Sequence, residues 1–178
     1  SPATASGQPR GLTMIRTPTL QDAPRIAAVH HASWHAAYAD LLPAATNDRK
    51  TPEHFAEKWQ QILSSETGST LAIHEDPDGE LTGFVSVGKD RRSEEEVGEI
   101  WAIYVHPDHF GAGSGEELWR EGLGLLRNLG YSEANVRVEK LNMRARRFYE
   151  KRGFGLDPDG VLTVDCECEN EVVHRGPI

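Results

Sequence analysis

Three glycines at alternate positions, Gly111, Gly113 and Gly115, stand between a strand-like run, EIWAIYV, and an amphipathic segment, GEELWREGLGLLRNLG. Glycine costs backbone entropy when it is ordered, so this cluster indicates that the junction needs a bare backbone. A tight turn there leaves the first amides of the helix unpaired at the positive end of its dipole. Such amides bind phosphate, so the pattern predicts a phosphate-binding turn. A strand–helix turn without a ligand is the alternative.

Two familiar phosphate-binding motifs do not fit this stretch. The sequence lacks the G-K-[ST] of a Walker-type loop. The spacing G-A-G-S-G differs from the G-x-G-x-x-G of dinucleotide-binding folds, and hairpin-like runs precede it where a βαβ unit would be required. The turn therefore belongs to another class of phosphate site.

Cysteine and histidine pairs carry weaker signals. Cys166 and Cys168 are two residues apart in a strand-like run, so their side chains share a face and a disulfide between them would be strained. His31 and His35 have the i, i+4 spacing of helical metal ligands, but no third ligand is evident. We therefore predict no metal site and reduced, packed cysteines in a cytosolic protein.

The elements around the turn follow from the period of the apolar residues. Strands are predicted over 13–19, 69–75, 81–88, 97–105 and 133–139, followed by a closing hairpin turned at Asn170. Helices are predicted from Asp22, over 51–63, from the glycines to Leu129 and over 142–153, with Gly130 and Gly153 as stops. This order predicts one α/β domain with a mixed sheet.

Composition limits the classes of function. The 178 residues suffice for one domain with a core, and 19 Lys+Arg against 28 Asp+Glu give a formal net charge of −9. This charge argues against nucleic-acid binding and mildly favours a cationic or neutral substrate, although a surface charged for solubility predicts the same balance. We expect no membrane partner and a cytoplasmic location, since membrane-spanning and signal-like segments are absent. Residues 1–12 are predicted to be a disordered tail or cloning remnant, and the domain is predicted to cover 13–178.

The stretch IYVHPDHFGAGSGEELW resembles the acetyl-CoA-binding signature of the GNAT superfamily of N-acetyltransferases, Q/R-x-x-G-x-G/A between a strand and a helix. A second stretch, VRVEKLNMRARRFYEKRGF, resembles that family's later signature through Asn142, Ala145, Phe148, Tyr149, Glu150, Gly153 and Phe154. Phe110 departs from the pattern, because it stands where the family has Gln or Arg. The resemblance spans nearly the whole domain. It implies a mixed, mostly antiparallel sheet of about seven strands flanked by about four helices, the α+β type of α/β fold.

The resemblance implies direct transfer of acetyl from acetyl-CoA to a primary amine in a ternary complex. The strand EIWAIYV would splay from NVRVE at a bulge, and the pantetheine arm would bond to the freed backbone of Ile103, Tyr104 and Val105. Asn142 would bond the pantetheine or help its helix hold the cofactor. The amides that would hold the diphosphate belong to Gly111, Ala112, Gly113, Ser114, Gly115 and Glu116.

By the same resemblance, Tyr149 would give its phenol proton to the CoA sulfur, with a packed aromatic as the alternative. Glu99 lies among apolar neighbours in a central strand, where a carboxylate is costly unless it faces a wet cleft or a partner. We predict that it takes the amine proton through a water and holds the cationic amine; a salt bridge at the sheet edge is the alternative. Trp34 and Tyr38 share a helical face, which the resemblance places at the acceptor site, with their rings against a cation. A core aromatic pair is the alternative.

Two other functions stay open at this point. A non-catalytic acyl-CoA-binding sensor or partner-binding module could have the same fold, and Phe110 leaves room for it. A nucleotide-binding domain of another fold would instead let ATP or NAD compete with CoA. The acceptor, a small-molecule or protein amine, is not specified by the sequence, and a homodimer is compatible with the family.

Overall fold

The computed structural model describes residues 12–65, 70–160 and 170–178. The strands are β1 (Met14–Arg16), β2 (Thr70–Glu75), β3 (Leu81–Lys89), β4 (Gly98–Val105), β5 (Glu133–Glu139), β6 (Gly155–Asp157) and β7 (Glu171–Pro177). The α-helices in these ranges are α1 (Ala23–Tyr38), α2 (Ala44–Arg49), α3 (Pro52–Ser64), α4 (Ser114–Asn128) and α5 (Met143–Glu150). Short 3-10 turns, Leu20–Asp22 and Pro107–His109, precede α1 and α4.

The seven strands form one sheet in the order β1-β2-β3-β4-β5-β7-β6. Every neighbouring pair is antiparallel except β4 and β5, which are parallel. The prediction of a single domain with a mixed, mostly antiparallel sheet is confirmed. None of the helices within the described ranges has both the length and the apolar character needed to cross a membrane. The cytoplasmic location stays a prediction.

Some elements differ from those predicted. The helix α1 continues to Tyr38 without a break. The elements α2 and β6 were not predicted, because segments of three to six residues are too short to show a hydrophobic period. The predicted first strand shrinks to Met14–Arg16. Of the predicted closing hairpin, the described residues contain β7, which starts directly after Asn170. Cys166 and Cys168 lie outside the described residues, as does the predicted tail apart from Leu12.

Two apolar clusters cover the two faces of the sheet. On one face α1 and α3 pack through residues such as Ile26, Phe55 and Trp59. On the other face α4 packs through Leu118 and Leu126. The central strand β3 contributes to both clusters, so it is buried along nearly its whole length, whereas burial would alternate along a half-exposed strand.

Candidate active site

The strands β4 and β5 pair over only three residues before they separate. The pairs are Gly98 with Ala134, Glu99 with Asn135 and Ile100 with Val136. Directly after Ile100 the register between β3 and β4 shifts, so that Trp101 is an extra residue in β4. A bulge of this kind bends a strand and interrupts its pairing. The predicted splay at a bulge is therefore confirmed.

A cleft of about 650 Å³ fills the gap between the separated strands. Residues 100–105 of β4 and 136–138 of β5 form its walls, and the glycine turn and α5 close its sides. Most of the predicted site residues line this cleft, namely Tyr38, Ile103, Tyr104, Val105, Gly111, Gly113, Gly115, Glu116, Asn142 and Tyr149. The predicted site residues that do not line it are Trp34, Glu99, Ala112 and Ser114.

The glycine turn presents free amides to the cleft. Gly111 and Gly113 have φ angles of +80° and +90°, which L-residues rarely adopt, and Gly113 is the N-cap of α4. The first helical donor is the Glu117 amide, which lies 3.1 Å from the Gly113 carbonyl. Within the described part of the chain the amides of residues 113–116 have no acceptor. One predicted amide is not free, because Ala112 donates to the His109 carbonyl at 3.4 Å.

The backbone of β4 is only half available to a ligand. The His106 amide donates to the Thr82 carbonyl at 2.7 Å, which fixes the phase of the hydrogen bonds between β3 and β4. Antiparallel pairs alternate between bonded and non-bonded residues, so Tyr104 shares the bonded phase of His106. The N–H and C=O groups of Ile103 and Val105 therefore face the cleft, whereas those of Tyr104 belong to the sheet.

Tyr149 combines burial with access to the cleft. Its ring stacks on Trp119 at a centroid distance of 5.7 Å, and the side chain lies among the cleft residues. Burial raises the pKa of Tyr149 above its ordinary value, so the phenol stays protonated at neutral pH. Tyr149 is therefore a packed aromatic whose protonated phenol belongs to a residue that lines the cleft.

Comparison with known proteins gives this geometry a family. A family model described as the acetyltransferase (GNAT) family matches residues 34–154. The chain belongs to the GNAT acetyltransferase family. Its fold resembles PaiA N-acetyltransferase from Thermoplasma acidophilum in complex with coenzyme A, with a TM-score of 0.71, 18% identity, and 93% of this chain and 99% of that chain covered.

Two sequence relatives agree with this membership. YuaI of Bacillus subtilis, an uncharacterized N-acetyltransferase, is 29% identical over 132 residues, 74% of each chain. The mycothiol acetyltransferase of Rhodococcus jostii is 28% identical over 139 residues, which cover 76% of this chain but only 43% of that protein. Family membership makes the chain an acyltransferase. The resemblance to this family that the two sequence motifs indicated is therefore confirmed.

A basic rim on this GNAT cleft was missed by sequence reasoning. Cationic side chains along the cleft are Arg137, Arg144, Arg147, Lys151 and Arg152, whereas the acidic side chain among its described lining residues is Glu116. The available signal was the run RARRFYEKR, which an amphipathic helix with a solvated face explains equally well. Only the packing of α5 beside the glycine turn turns this face into an anion-attracting surface in a chain of net charge −9.

Phe110, the departure from the family pattern, holds one of these cations. The residue is 41% exposed, and the Arg144 guanidinium lies 3.7 Å from the ring centroid. The stacking places a guanidinium beside residue 110, which is Gln or Arg in the family pattern. On the other side of the turn, Arg152 Nε donates to Glu116 at 2.7 Å, which ties the turn after α5 to the first turn of α4.

Asn142 joins the two sides of the cleft. Its Oδ1 accepts from the Ala145 amide at 3.1 Å and caps α5, and its Nδ2 donates to the Tyr38 hydroxyl at 3.2 Å. Trp34 packs on Tyr38 with ring centroids 5.0 Å apart, and both rings are buried in the core beside α1. The Lys50 ammonium lies 5.6 Å from the Trp34 ring. Tyr38 therefore reaches the cleft, whereas Trp34 supports it from the core.

Glu99 is buried in an ion-paired cluster on β4 and β5. Arg137 Nη1 donates to Glu99 at 2.7 Å and to Asp90 at 2.9 Å, and Asn135 Nδ2 donates to Asp90 at 2.8 Å. The salt bridge considered from the sequence exists, but in the centre of the sheet and not at its edge. Burial raises the pKa of Glu99, although Arg137 partly offsets the effect. Burial also favours protonation of Asp90, but its hydrogen bonds from Arg137 and Asn135 outweigh this and lower its pKa.

The histidine pair has a structural environment. The rings of His31 and His35 lie 4.5 Å apart between centroids, and His35 Nε2 lies 2.7 Å from the Lys50 carbonyl. Throughout the described ranges, no group of three or more His, Cys, Asp or Glu residues is arranged to hold a metal ion.

Proposed function

We propose that this chain transfers the acetyl group of acetyl-CoA to a primary amine, of a small molecule or of a protein, that is bound at the same time. One observation carries the proposal: free amides at a glycine turn open onto a cleft whose walls hold the unpaired edge of β4 and Tyr149. The net negative charge of the chain favours an acceptor that arrives as a cation.

The cleft matches the polar groups of acetyl-CoA in order. The amides of residues 113–116 bind the diphosphate at the N-terminus of α4. Arg144, which stacks on Phe110, adds a cation beside the same turn. The backbone groups of Ile103 and Val105 bond to the pantetheine amides, in the manner of an added strand. This path leads the thioester along β4 toward Tyr149.

The reaction balances with the groups at hand. The acceptor arrives as an ammonium, and Glu99 removes one proton, directly or through a water. The amine nitrogen then attacks the thioester carbonyl carbon, a C–N bond forms, and collapse of the tetrahedral intermediate breaks the C–S bond. Tyr149 gives its phenol proton to the departing thiolate and regains one from the nitrogen. The products are the acetylated amine, CoA as a thiol and one released proton.

Two measurements test this proposal together. Calorimetry should detect binding of acetyl-CoA to the folded chain, and a free-thiol assay with a panel of primary amines should detect release of CoA. Binding without release on any amine would favour the non-catalytic module. Absence of acetyl-CoA binding would refute both functions, and competition by ATP or NAD would favour a different nucleotide site.

A further inference from the structure

Three buried polar atoms in the cluster below the cleft lack hydrogen-bond partners among the described residues. They are Glu99 Oε1, Asn135 Oδ1 and Arg137 Nε. Glu99 and Asn135 are 3% and 5% exposed, and they are direct partners in the β4–β5 register, so both side chains lie on the same face of the sheet. Buried polar atoms without partners are rare in folded proteins, and each requires an explanation. Two unpaired acceptor oxygens therefore lie on directly paired residues of β4 and β5, in the same cluster as one unpaired donor, Arg137 Nε.

The charges of the cluster also call for a positive group. The carboxylates of Asp90 and Glu99 share one buried guanidinium, that of Arg137. Arg91 Nε lies 3.7 Å from Glu99 Oε1, but its side chain is 58% exposed and its guanidinium stacks on Trp101. A proton or a small cation bound between the two orphan oxygens would balance the buried charge.

The cluster lies one register pair away from the cleft. Ile100 and Val136, the next pair along the two strands, line the cleft at the point where the strands separate. Arg137 lines both the cleft and a second cavity of about 220 Å³, which Asn135 also lines. An amine held by the cluster is thus next to the part of the cleft where the strands separate, and Asn135 and Arg137 are also reached from the second cavity.

We propose that Glu99 and Asn135 form the binding site for the acceptor ammonium, which donates one N–H to Glu99 Oε1 and a second to Asn135 Oδ1. This inference rests on the proposed function and adds Asn135, to which nothing in the sequence assigns a role. A primary ammonium has three donors and satisfies both oxygens. A quaternary ammonium has none, so the site selects by N–H groups and not by charge alone.

Small ammonium ions test the site without a known substrate. In thermal unfolding at matched ionic strength, methylammonium chloride should raise the Tm above its value in sodium chloride or tetramethylammonium chloride. Asn135→Ala and Glu99→Gln should each abolish this difference. Equal Tm values of the wild-type protein in the three salts would overturn the proposal, even if the variants failed to fold.

Kinetics with the best amine of the acceptor panel supply a second readout. Asn135→Ala should raise the KM for the amine about ten- to a hundred-fold, the loss expected for a hydrogen bond to a charged group, and leave the KM for acetyl-CoA within about two-fold. The matched control is Asn128→Ala at the exposed end of α4, which should change neither constant. Equal changes in both KM values for Asn135→Ala would overturn the proposal.

The two levels of inference fail separately. If no acetyl-CoA binds and no thiol is released, the proposed acetyl transfer is wrong, while the salt series still reports on the ammonium site. If acetyl-CoA binds and turns over but methylammonium gives no added stability, only the assignment of Asn135 and Glu99 to the ammonium is wrong.

Discussion

Replacement of Gly113 by alanine is the sharpest test of the phosphate cradle. Gly113 has a φ of +90° and no atom within 4 Å of an added Cβ, so the substitution introduces backbone strain without a steric clash. An L-residue held at positive φ costs about 1–2 kcal/mol. The turn from Phe110 to Gly113 is exposed, so alanine relieves its strain in the free protein by rotating to negative φ.

That rotation moves the amides away from the anion site, and binding must restore them. The strain of about 1–2 kcal/mol then appears in the binding free energy, so the Kd for acetyl-CoA should rise about five- to thirty-fold in calorimetry. The matched control is Gly79→Ala in the β2–β3 turn, where φ is +83° and an added Cβ again meets no atom within 4 Å. This control should leave the Kd unchanged.

The comparison separates the cradle from general damage. If Gly113→Ala binds acetyl-CoA as tightly as the wild-type protein, the amides of residues 113–116 do not hold the diphosphate and the proposed mode of binding is wrong. If Gly79→Ala weakens binding equally, the loss reflects stability and not the cradle. Circular dichroism and Tm measurements on both variants show whether their folds are comparable.

The remaining predictions concern the helix that carries the cradle and the two catalytic candidates. Gly124→Ala should raise the free energy of unfolding by about 1 kcal/mol in urea titrations through helix propensity, because its added Cβ meets no atom. Gly122→Ala should raise the free energy of unfolding by less than this or lower it, because its added Cβ would lie 3.0 Å from Val85 Cγ2. An equal rise in the free energy of unfolding at both positions would contradict the close packing of α4 on β3. Tyr149→Phe should lower kcat about a hundred-fold with the Kd for acetyl-CoA unchanged, and an unchanged kcat would remove the phenol from the mechanism. Glu99 has a raised pKa, so kcat/KM should fall as the pH drops through that value, and Glu99→Gln should lower turnover and remove this limb of the profile. Because the pKa of Glu99 is higher in the folded than in the unfolded protein, its contribution to stability is complete below the unfolded-state pKa and is lost as the pH rises through the folded-state pKa. Any stability advantage of the wild-type protein over Glu99→Gln should therefore shrink as the pH rises. A difference in the free energy of unfolding that does not change with pH would show that Glu99 does not titrate as proposed.

The sequence determined the features that depend on local backbone chemistry. The alternating glycines fix where a strand becomes a helix with open amides, and positive φ at Gly111 and Gly113 agrees with that reading. Apolar periods placed β3, β4, β5, α3 and α4 within a few residues of their observed bounds. The two motifs, at the glycine turn and around Tyr149, indicated the family, because the spacing within each reflects the geometry of one short segment. Each of these signals lies within a short segment, so no knowledge of distant contacts was needed.

The tertiary structure alone decided which distant residues meet. The bulge at Trp101 sets the point at which β4 leaves β5, and the parallel register sets Glu99 opposite Asn135. The alternation of hydrogen bonds between β3 and β4 turns the backbone N–H and C=O groups of Ile103 toward the cleft, whereas those of Tyr104 bond within the sheet. Packing of α5 beside the glycine turn concentrates arginines there. Register and packing depend on the relative positions of whole elements, and a period along the chain does not encode them.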